Sequence, residues 1–434
     1  MESLPNGQAR YAKIFRTNMK IFKFGGASVK DASGIKNVAK VLKLVGYNDV
    51  FLVVSAMGKM TNAFEKLTDA YFYNTKDLHL LIDEVREYHY NILKDLFDNN
   101  QHEIFAEIEN HFTEMTQFMI RNKSKEYGFV YDQLVSIAEL LSTKIVSYYM
   151  NEIGLENRWL DVRDSIKTNN DYRDARVNWE ATEQQILKNV DGKKLNITQG
   201  FLGRNEIQHT TTLGREGSDY TAAIFAYCLN AESVTIWKDV EGVLNADPRH
   251  FEDTTLLEKI SYTEAIELAF YGASVIHPKT LQPLQKKEIP LYVKSFINPE
   301  NEGTLVVRGE AIHPEIPCYI IKKDQILLSI SSLDFSFIVE RNISEIFNLL
   351  HEQKMKVNLI QNSAISFSIC LEDKYENFES LIKILEDKFK VDFYKGASLF
   401  TIRHFSNDAI EQIEKYNKVL LKQLTKETVQ IVIG

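Results

Sequence analysis

The chain has 434 residues, of which 44% are hydrophobic and 26% charged, a balance typical of a globular protein with two or three domains. Its formal net charge of −9 argues against the basic surface that nucleic-acid binding requires, and no apolar run approaches the roughly 20 residues that span a bilayer. The three cysteines are scattered within apolar runs, so we expect buried thiols rather than disulfides or a metal site.

The N-terminal residues precede the first predicted strand. Residues 1–18, MESLPNGQARYAKIFRTN, lack the apolar core of a secretory signal, and Met19 stands directly before the first strand-like run. We therefore expect residues 1–18 to form a disordered extension and the protein to be cytoplasmic.

The segment up to residue 310 has the pattern of an α/β domain. Short apolar runs alternate with helical patterns, which predicts a mainly parallel sheet. These runs are IFKF (21–24), VFLVVS (50–55), LNITQGF (195–201) and VTIW (234–237). In the helical segment 63–150, three apolar stripes at helical spacing predict helices that pack on one another, over 78–96, 104–119 and 134–148.

The pattern changes in the C-terminal part. Glycine and two prolines in VVRGEAIHPEIP (306–317) indicate a domain boundary. The next segment, 318–396, is predicted as strand–helix–strand–strand–helix–strand, the order of a ferredoxin-like module. A shortened repeat follows at 397–434, with a strand, a helix over DAIEQIEKYNKVLLKQL (408–424) and a final strand.

The first candidate for a phosphate site is KFGGAS (23–28), since the sequence contains no Walker-type loop. Gly25 and Gly26 let backbone amides approach a phosphate closely, and Lys23 can place a positive charge on it. Taken alone, a lysine before a Gly-Gly turn is more often ordinary turn chemistry. The hypothesis therefore needs a second loop.

A second glycine loop, TLGREGSDYTAA (212–223), supports it. Ser218 or Asp219 is placed to cap a helix that begins there, and the amides of a helix start favour an anion. Arg215 can hold a carboxylate through two parallel hydrogen bonds. Asp219 would repel a phosphate unless it pairs with a cation, which suggests that it orients Lys23. By itself, the loop could equally be a solvated turn.

Two further segments could belong to the same site. IWKDVEGVLNADPR (236–249) runs from a strand into a loop, where α/β sheets hold nucleotides, although an Asp-Pro turn is the simpler interpretation. Glu139 lies among apolar neighbours on the helix predicted over 134–148. A glutamate on a helix is usually solvated, but these apolar neighbours make it a candidate to face a pocket.

In order along the chain, these motifs resemble aspartate kinases, a group with the amino-acid kinase fold. The resemblance covers essentially residues 20–434, and the tail resembles the paired ACT modules of that family. The matching segments are KFGGASV (23–29), VVSAMGKMTN (53–62), VSIAELLST (135–143), ITQGF (197–201), TTTLGREGSDYTAA (210–223), KDVEGVLNADPR (238–249) and ELAFYGASVIHPKTL (267–281).

The resemblance implies a fold and an activity. The fold would be a three-layer α/β/α amino-acid kinase domain at 19–310, an ACT domain at 318–396 and a truncated second ACT domain at 397–434. The activity would be transfer of the γ-phosphoryl group of ATP, with Mg²⁺ on its phosphates, to the β-carboxylate of L-aspartate, the first step toward lysine, threonine and methionine. An ionised carboxylate needs no general base, which agrees with the lack of a histidine-centred motif.

The resemblance also implies roles for residues at matching positions. Lys23 and Asp219 would be catalytic, Lys23 stabilising the transferring phosphates and Asp219 orienting it. Arg215 would bind the α-carboxylate of the acceptor and Glu139 its ammonium. The remaining acceptor-side residues would be Ser55, Thr61, Ser218 and Phe201. The nucleotide side would be formed by Lys23, Gly25, Gly26, Lys238, Asp239, Leu244, Arg249 and Ser274.

Some positions depart from the family pattern. Ala27 stands in place of threonine, Glu216 of glycine, Leu244 of tyrosine and Ser274 of lysine, and we expect an effect on ATP affinity rather than a loss of activity. The positions that hold an inhibitory amino acid in the family are here Val339–Asn342, Asn358 and Ser363–Ala364. Because Asn358 and Ala364 stand where the family has carboxylates, we expect inhibition by lysine or threonine to be weak or altered.

Two other functions stay open at this point. Another amino-acid kinase could phosphorylate glutamate or N-acetylglutamate, although Arg215 with Glu139 favours an acceptor that has a free ammonium. A non-catalytic ACT-based sensor is the third hypothesis, against which Lys23 and Asp219 argue. In each case we expect a homodimer or higher homo-oligomer and consider an amino-acid effector at the ACT modules a candidate partner.

Overall fold

The structure is a computed structural model that describes residues 17–99, 101–273, 276–309, 311–334 and 336–434. Residues 1–16 of the predicted extension 1–18 lie outside the described residues. Contacts within the chain define two units, each described by itself. The described residues of unit 1 are those up to Val243 and those of Leu256–Ile266 and Ile276–Ala311. Unit 2 contains those of Leu244–Thr255, Glu267–Val275 and Ile312–Gly434.

A largely parallel sheet forms the centre of unit 1. The strands of this unit are β1 (Lys20–Phe24), β2 (Val50–Val54), β3 (Asn157–Leu160), β4 (Leu195–Gln199), β5 (Leu202–Arg204), β6 (Thr210–Thr212), β7 (Ser233–Lys238), β8 (Lys259–Ser261), β9 (Leu291–Ser295) and β10 (Thr304–Val307). Eight of them form one sheet in the order β3-β4-β2-β1-β7-β9-β10-β8, and β5 pairs with β6 in a separate hairpin. Only the β9–β10 pair of the large sheet is antiparallel, so the predicted parallel sheet is confirmed.

Helices cover both faces of this sheet and complete the three predicted layers. The helices that begin in unit 1 are α1 (Ala32–Val45), α2 (Met60–Phe72), α3 (Leu78–Leu96), α4 (Glu103–Arg121), α5 (Tyr127–Glu152), α6 (Val162–Ser165), α7 (Trp179–Asn189), α8 (Gly217–Leu229), α9 (Tyr262–Tyr271) and α10 (Pro278–Lys287). Helices α1 to α5 pack over the face where Phe24 stacks on Trp237, and α8 covers the other face, where Phe51 stacks on Phe225. The three helices predicted from apolar stripes are confirmed as α3, α4 and α5.

The parallel strands bring their carboxyl ends to one edge of the sheet. In register, Lys23 of β1 lies between Val53 of β2 and Ile236 of β7. The loops that follow β1, β2, β4 and β7 therefore leave the sheet side by side. These loops contain most of the residues singled out in the sequence.

Unit 2 is built on an antiparallel sheet. Its strands are β11 (Cys318–Ser332), β12 (Lys356–Asn362), β13 (Ser366–Glu372), β14 (Phe389–Arg403), β15 (Val419–Leu424) and β16 (Thr428–Ile433), in the order β12-β13-β11-β14-β16-β15. The second half of α9, from Glu267, belongs to unit 2. The helices that follow it in this unit are α11 (Glu340–Glu352), α12 (Phe378–Glu386) and α13 (Asn407–Glu414). The predicted order strand–helix–strand–strand–helix–strand is present from β11 to β14.

Two strands of unit 2 are longer than the sequence pattern suggested. β11 and β14 pair along most of their 15-residue lengths, and their register shifts between Lys322 and Ile326. The part of β11 before this shift pairs with the part of β14 that also pairs with β16. The Cys318 end of β11 thus adds a strand to the shortened repeat.

The helix predicted over 408–424 is wrong in its second half. α13 ends at Glu414, and Val419–Leu424 forms β15, which pairs antiparallel with β16. The apolar residues of this segment fit a helical stripe and a strand equally well. Pairing with β16 satisfies the backbone polar groups of β15 on one side, and this is a tertiary contact that no local pattern contains.

The three cysteines, Cys228, Cys318 and Cys370, are buried and free of disulfides, as predicted. Among the described residues, no helix combines the length and the apolar character that crossing a membrane requires.

Candidate active site

The loops at the carboxyl edge of the unit 1 sheet surround a cavity of about 510 Å³. The cavity brings together nine of the predicted site residues: Lys23, Ser55, Thr61, Glu139, Phe201, Arg215, Ser218, Asp219 and Lys238. Five further side chains that line it were not predicted as site residues from the sequence: Asn62, Glu65, Tyr131, Arg173 and Glu216. The motifs that were separate in the sequence therefore meet at one place.

Gly26, the second glycine of the loop after β1, allows two loops to touch. A Cβ on Gly26 would lie 2.6 Å from the carbonyl oxygen of Gly58 and 2.8 Å from that of Ala56, so no larger residue fits. The Gly58 N–H donates to the Gly26 carbonyl at 3.0 Å, which ties the loop after β2 to the loop after β1. This contact places Ser55 and Thr61 beside Lys23.

Lys23 and Asp219 form a buried ion pair at the cavity wall. Lys23 Nζ lies 2.6 Å from Asp219 Oδ1, and the two side chains are 11% and 5% exposed. A carboxylate in the first turn of α8 thus faces the lysine at the end of β1, as the sequence suggested. Because the pair is screened from water, it fixes the direction of the lysine ammonium.

The start of α8 differs from the prediction that Ser218 or Asp219 would cap it. The helix begins at Gly217, and its N-cap is Glu216, in the left-handed conformation with φ 53° and with no side-chain capping hydrogen bond. Ser218 and Asp219 lie within the first turn instead. A helix start without a side-chain cap favours an anion at this end of α8.

Glu139 is a buried carboxylate without a full set of partners. Its side chain faces the cavity from α5, the residue is 2% exposed, and Oε2 has no hydrogen-bond partner among the described residues. Burial raises the pKa of Glu139 to about 8, although a hydrogen bond from the Ala56 backbone and the charge of Lys23 act in the opposite direction. A cationic ligand group would stabilise its ionised form.

Arg215 is exposed at the cavity, and no hydrogen bond or ion pair joins it to another described residue. Its guanidinium is therefore available to an anionic ligand. Phe201 lies against Gly217 at the helix start and adopts φ 71°, and its N–H donates to the Thr221 hydroxyl at 3.0 Å. This bond anchors the loop after β4 to α8.

A second buried carboxylate supports two walls of the cavity. Asp132, fully buried on α5, accepts hydrogen bonds from the Arg173 N–H and from the N–H and hydroxyl of Thr212. Burial raises the pKa of Asp132 to about 6, against these hydrogen bonds. Its spacing of seven residues before Glu139 puts both on one face of α5, a signal that the sequence contained. Nothing local distinguishes Arg173 from an ordinary loop arginine.

Fewer of the residues predicted for the nucleotide side than of those predicted for the acceptor side line the cavity. Lys238 lines the cavity, whereas Gly25, Gly26 and the exposed Asp239 do not. Leu244 and Arg249 belong to unit 2, where Arg249 pairs with Asp247 at 2.6 Å. Ser274 lies outside the described residues. The part of the chain that the structure describes contains no group of three or more His, Cys, Asp or Glu side chains that could hold a metal ion.

The unit that contains this cavity matches a known protein family. The model described as "Amino acid kinase family" matches residues 18–295, more than half of the chain. The chain belongs to the amino acid kinase family. Within that family, the curated relatives of this chain include aspartokinases, in agreement with the resemblance found in the motifs.

Two relatives illustrate the extent of the similarity. The chain is 32% identical over 357 residues to lysine-sensitive aspartokinase 3 of Escherichia coli (strain K12), which covers 81% of this chain and 78% of the relative. It is 28% identical over 407 residues to the chloroplastic aspartokinase 1 of Arabidopsis thaliana, covering 88% of this chain and 70% of the relative.

Solved structures agree over nearly the whole length. The structure of E. coli aspartokinase III with lysine and aspartate superimposes with a TM-score of 0.81 at 28% identity. That of E. coli aspartokinase III with aspartate and ADP gives 0.79 at 27% identity. Each comparison covers 96% of both chains. The expected fold, a kinase domain followed by an ACT-type antiparallel sheet, is confirmed.

Proposed function

We propose that the protein is an aspartate kinase, which transfers the γ-phosphoryl group of ATP to the β-carboxylate of L-aspartate. The observation that carries the proposal is the buried Lys23–Asp219 pair in a cavity that also contains Glu139 and Arg215. A fixed cation serves phosphoryl transfer, in which catalysis consists largely of positioning and charge stabilisation. The relative whose structure contains aspartate and ADP supports these two substrates.

The acceptor side of the cavity matches a free amino acid. Glu139 offers a carboxylate to the ammonium and Arg215 a guanidinium to the α-carboxylate, while Ser55, Thr61, Ser218 and Phe201 complete the surroundings. N-acetylglutamate has no ammonium and would leave Glu139 buried and unpaired, which is costly. The charge pattern thus favours an unmodified amino acid over an acylated one.

The transferring group would lie against Lys23 and the start of α8. The uncapped helix start and the Gly25–Gly26 turn favour the negative charge of the phosphates. Mg²⁺ would arrive with ATP, as part of the substrate, and neutralise part of that charge. Lys238 and Asp239 would follow the nucleotide beyond β7, and we keep Leu244, Arg249 and Ser274 as proposed contacts of the same ligand.

The ACT-type unit suggests regulation that differs from a lysine-sensitive relative. Asn358 already accepts a hydrogen bond from Lys322 Nζ at 2.8 Å and donates one to Gln325 Oε1 at 2.7 Å. Its side chain is thus engaged inside unit 2 and carries no charge for an effector ammonium. We propose weak or altered inhibition by lysine and threonine, a homo-oligomer formed through the ACT modules, and a cytoplasmic location.

Hydroxylamine trapping tests the activity. With ATP, Mg²⁺ and L-aspartate, we expect the wild type to form aspartyl hydroxamate and Lys23→Ala to lose this activity. Arg215→Ala should raise the KM for aspartate far more than the KM for ATP. Turnover with glutamate or N-acetylglutamate but not with aspartate would select another amino-acid kinase. No turnover with any of these acceptors would select the non-catalytic sensor.

A further inference from the structure

The loop between α6 and α7 brings an arginine to the cavity in a strained conformation. Arg173 has a φ of 70°, in the left-handed region that residues other than glycine rarely adopt. Its N–H donates to both carboxylate oxygens of Asp132, at 3.2 Å to Oδ1 and 3.1 Å to Oδ2. Such strain persists where surrounding contacts enforce it, and it concentrates at functional sites.

The same carboxylate holds the second arginine loop. Asp132 accepts hydrogen bonds from the Thr212 N–H at 2.9 Å and from the Thr212 hydroxyl at 2.8 Å. Thr212 ends β6, three residues before Arg215. The two loops also touch directly, because the Ala175 N–H donates to the Thr212 carbonyl at 2.9 Å. Asp132 therefore fixes the backbone segments that carry both Arg173 and Arg215.

The guanidinium of Arg173 retains capacity for a ligand. It lies over the ring of Tyr131, with Cζ 4.4 Å from the centroid, and 5.3 Å from that of Tyr127. Its Nη2 is 3.7 Å from Glu65 Oε1, longer than the roughly 2.7–2.9 Å of a charge-assisted hydrogen bond. Side-chain exposures of 48% and 40% weaken this pair further. Because a guanidinium has five N–H donors, the contact with Glu65 does not saturate it.

The topology puts Arg173 on one side of Lys23. In the sheet, β2 lies next to β1 on one side, with β4 beyond it, and β7, which carries Lys238, lies next to β1 on the other side. The partners of Arg173 belong to the first side: Glu65 is on α2, which follows β2, and Asp132 is on α5, which precedes β3 next to β4. Arg173 therefore lies on the side of Ser55 and Phe201, away from the strand that carries Lys238.

We propose that Arg173 is a specificity-determining residue of the acceptor site, a second guanidinium beside Arg215 that binds a carboxylate of a dicarboxylic amino acid, and that Asp132 is the residue that positions it. The inference rests on the proposed function, since it takes the amino acid to bind over β2 and β4. Two guanidinium groups and the carboxylate of Glu139 complement an acceptor with two carboxylates and one ammonium. Binding of both carboxylates would favour aspartate over monocarboxylic amino acids.

The first test removes the guanidinium without straining the backbone. Glycine accepts φ 70° freely, so Arg173→Gly should fold. We expect the KM for L-aspartate to rise about tenfold, because one charge-assisted hydrogen bond is lost. The KM for ATP should stay unchanged. Arg176→Gly is the matched control: it removes an exposed guanidinium of the same loop that does not line the cavity, and both KM values should stay at the wild-type level.

The second test separates positioning from support of the fold. Asp132→Asn should raise the KM for aspartate in the same direction, because the Arg173 N–H loses its carboxylate. Gln133→Met removes the two hydrogen bonds that join the neighbouring residue of α5 to Thr210, on the same strand β6, but leaves Arg173 untouched. Equal increases in the KM for aspartate in both variants would overturn the positioning role of Asp132.

The outcomes distinguish this inference from the proposed function. If the wild type forms no aspartyl hydroxamate, the proposed function fails and the inference fails with it. If the wild type is active and Arg173→Gly leaves the KM for aspartate unchanged, or raises both KM values equally, the function stands and the role of Arg173 is overturned. A rise confined to aspartate supports both.

Discussion

The buried carboxylate of Glu139 predicts a pH-dependent stability. The pKa of this group is raised from 4.5 to about 8, which corresponds to about 5 kcal/mol because one pKa unit equals about 1.4 kcal/mol. Below pH 4.5 the group is protonated in the folded and the unfolded state. Between pH 4.5 and 8 only the unfolded state releases the proton, so the free energy of unfolding decreases by about 1.4 kcal/mol per pH unit.

The substitution Glu139→Gln removes this dependence. Between pH 5.5 and 7.5, the free energy of unfolding of the wild type should fall by about 3 kcal/mol relative to that of the variant. Asp132 and all other titrating groups are present in both proteins and cancel in the comparison. Urea denaturation without ligands at the two pH values measures the difference.

The same measurement with bound L-aspartate tests whether Glu139 receives the ammonium of the acceptor. If Glu139 receives the acceptor ammonium, saturating L-aspartate should lower its pKa and reduce the difference between the wild type and the variant. The variant should also show a KM for aspartate raised at least tenfold, since it lacks the charged acceptor. Wild type and variant that lose stability in parallel between pH 5.5 and 7.5 would refute the description of Glu139 as an acid whose pKa is raised by burial.

Three further predictions concern other parts of the protein. Asp219→Asn leaves the ammonium of Lys23 buried without its partner and should destabilise the fold by about 3–5 kcal/mol, measured by urea denaturation, and lower kcat more than it changes either KM. Gly26→Ala should cost about 1–3 kcal/mol by the same measurement and reduce kcat, because its Cβ would clash with the carbonyls of Gly58 and Ala56; unchanged stability would contradict the close approach. In a kinase assay, millimolar lysine or threonine should inhibit little, whereas strong inhibition would show that the neutral, engaged Asn358 does not limit effector binding.

Much of the catalytic half could be predicted from local sequence. Buried parallel strands are continuous apolar runs, and long helices show apolar stripes, so β1, β2, β4, β7 and α3 to α5 were recognisable without tertiary information. Lys23 and Asp219 were also recognisable, because a glycine turn after a strand and an acidic residue at a helix start are patterns within one short segment. Their 2.6 Å ion pair follows from strand order, which joins segments almost 200 residues apart.

The prediction failed where a partner from elsewhere in the chain decided the outcome. The segment Val419–Leu424 fits a helical stripe, but β16 provides backbone partners for a strand. Ser218 was expected to cap α8, but the loop places Glu216 at the cap position in a left-handed conformation. The sequence offers no physical reason for a glutamate there, and the structure adds none.

The sequence by itself determined the buried strands β1, β2, β4 and β7, the helices α3 to α5, the glycine turn after β1 and the charges at Lys23 and Asp219, since each depends on the spacing of neighbouring residues. Only the tertiary structure decided that Asp132 holds Arg173 and the loop of Arg215, and that Glu139 is buried with one carboxylate oxygen lacking a hydrogen-bond partner among the described residues. These properties depend on which distant segments exclude water from a carboxylate and supply its hydrogen bonds. The burial of a carboxylate and its hydrogen-bond partners depend on residues from many parts of the fold, so no short segment of the sequence predicts them.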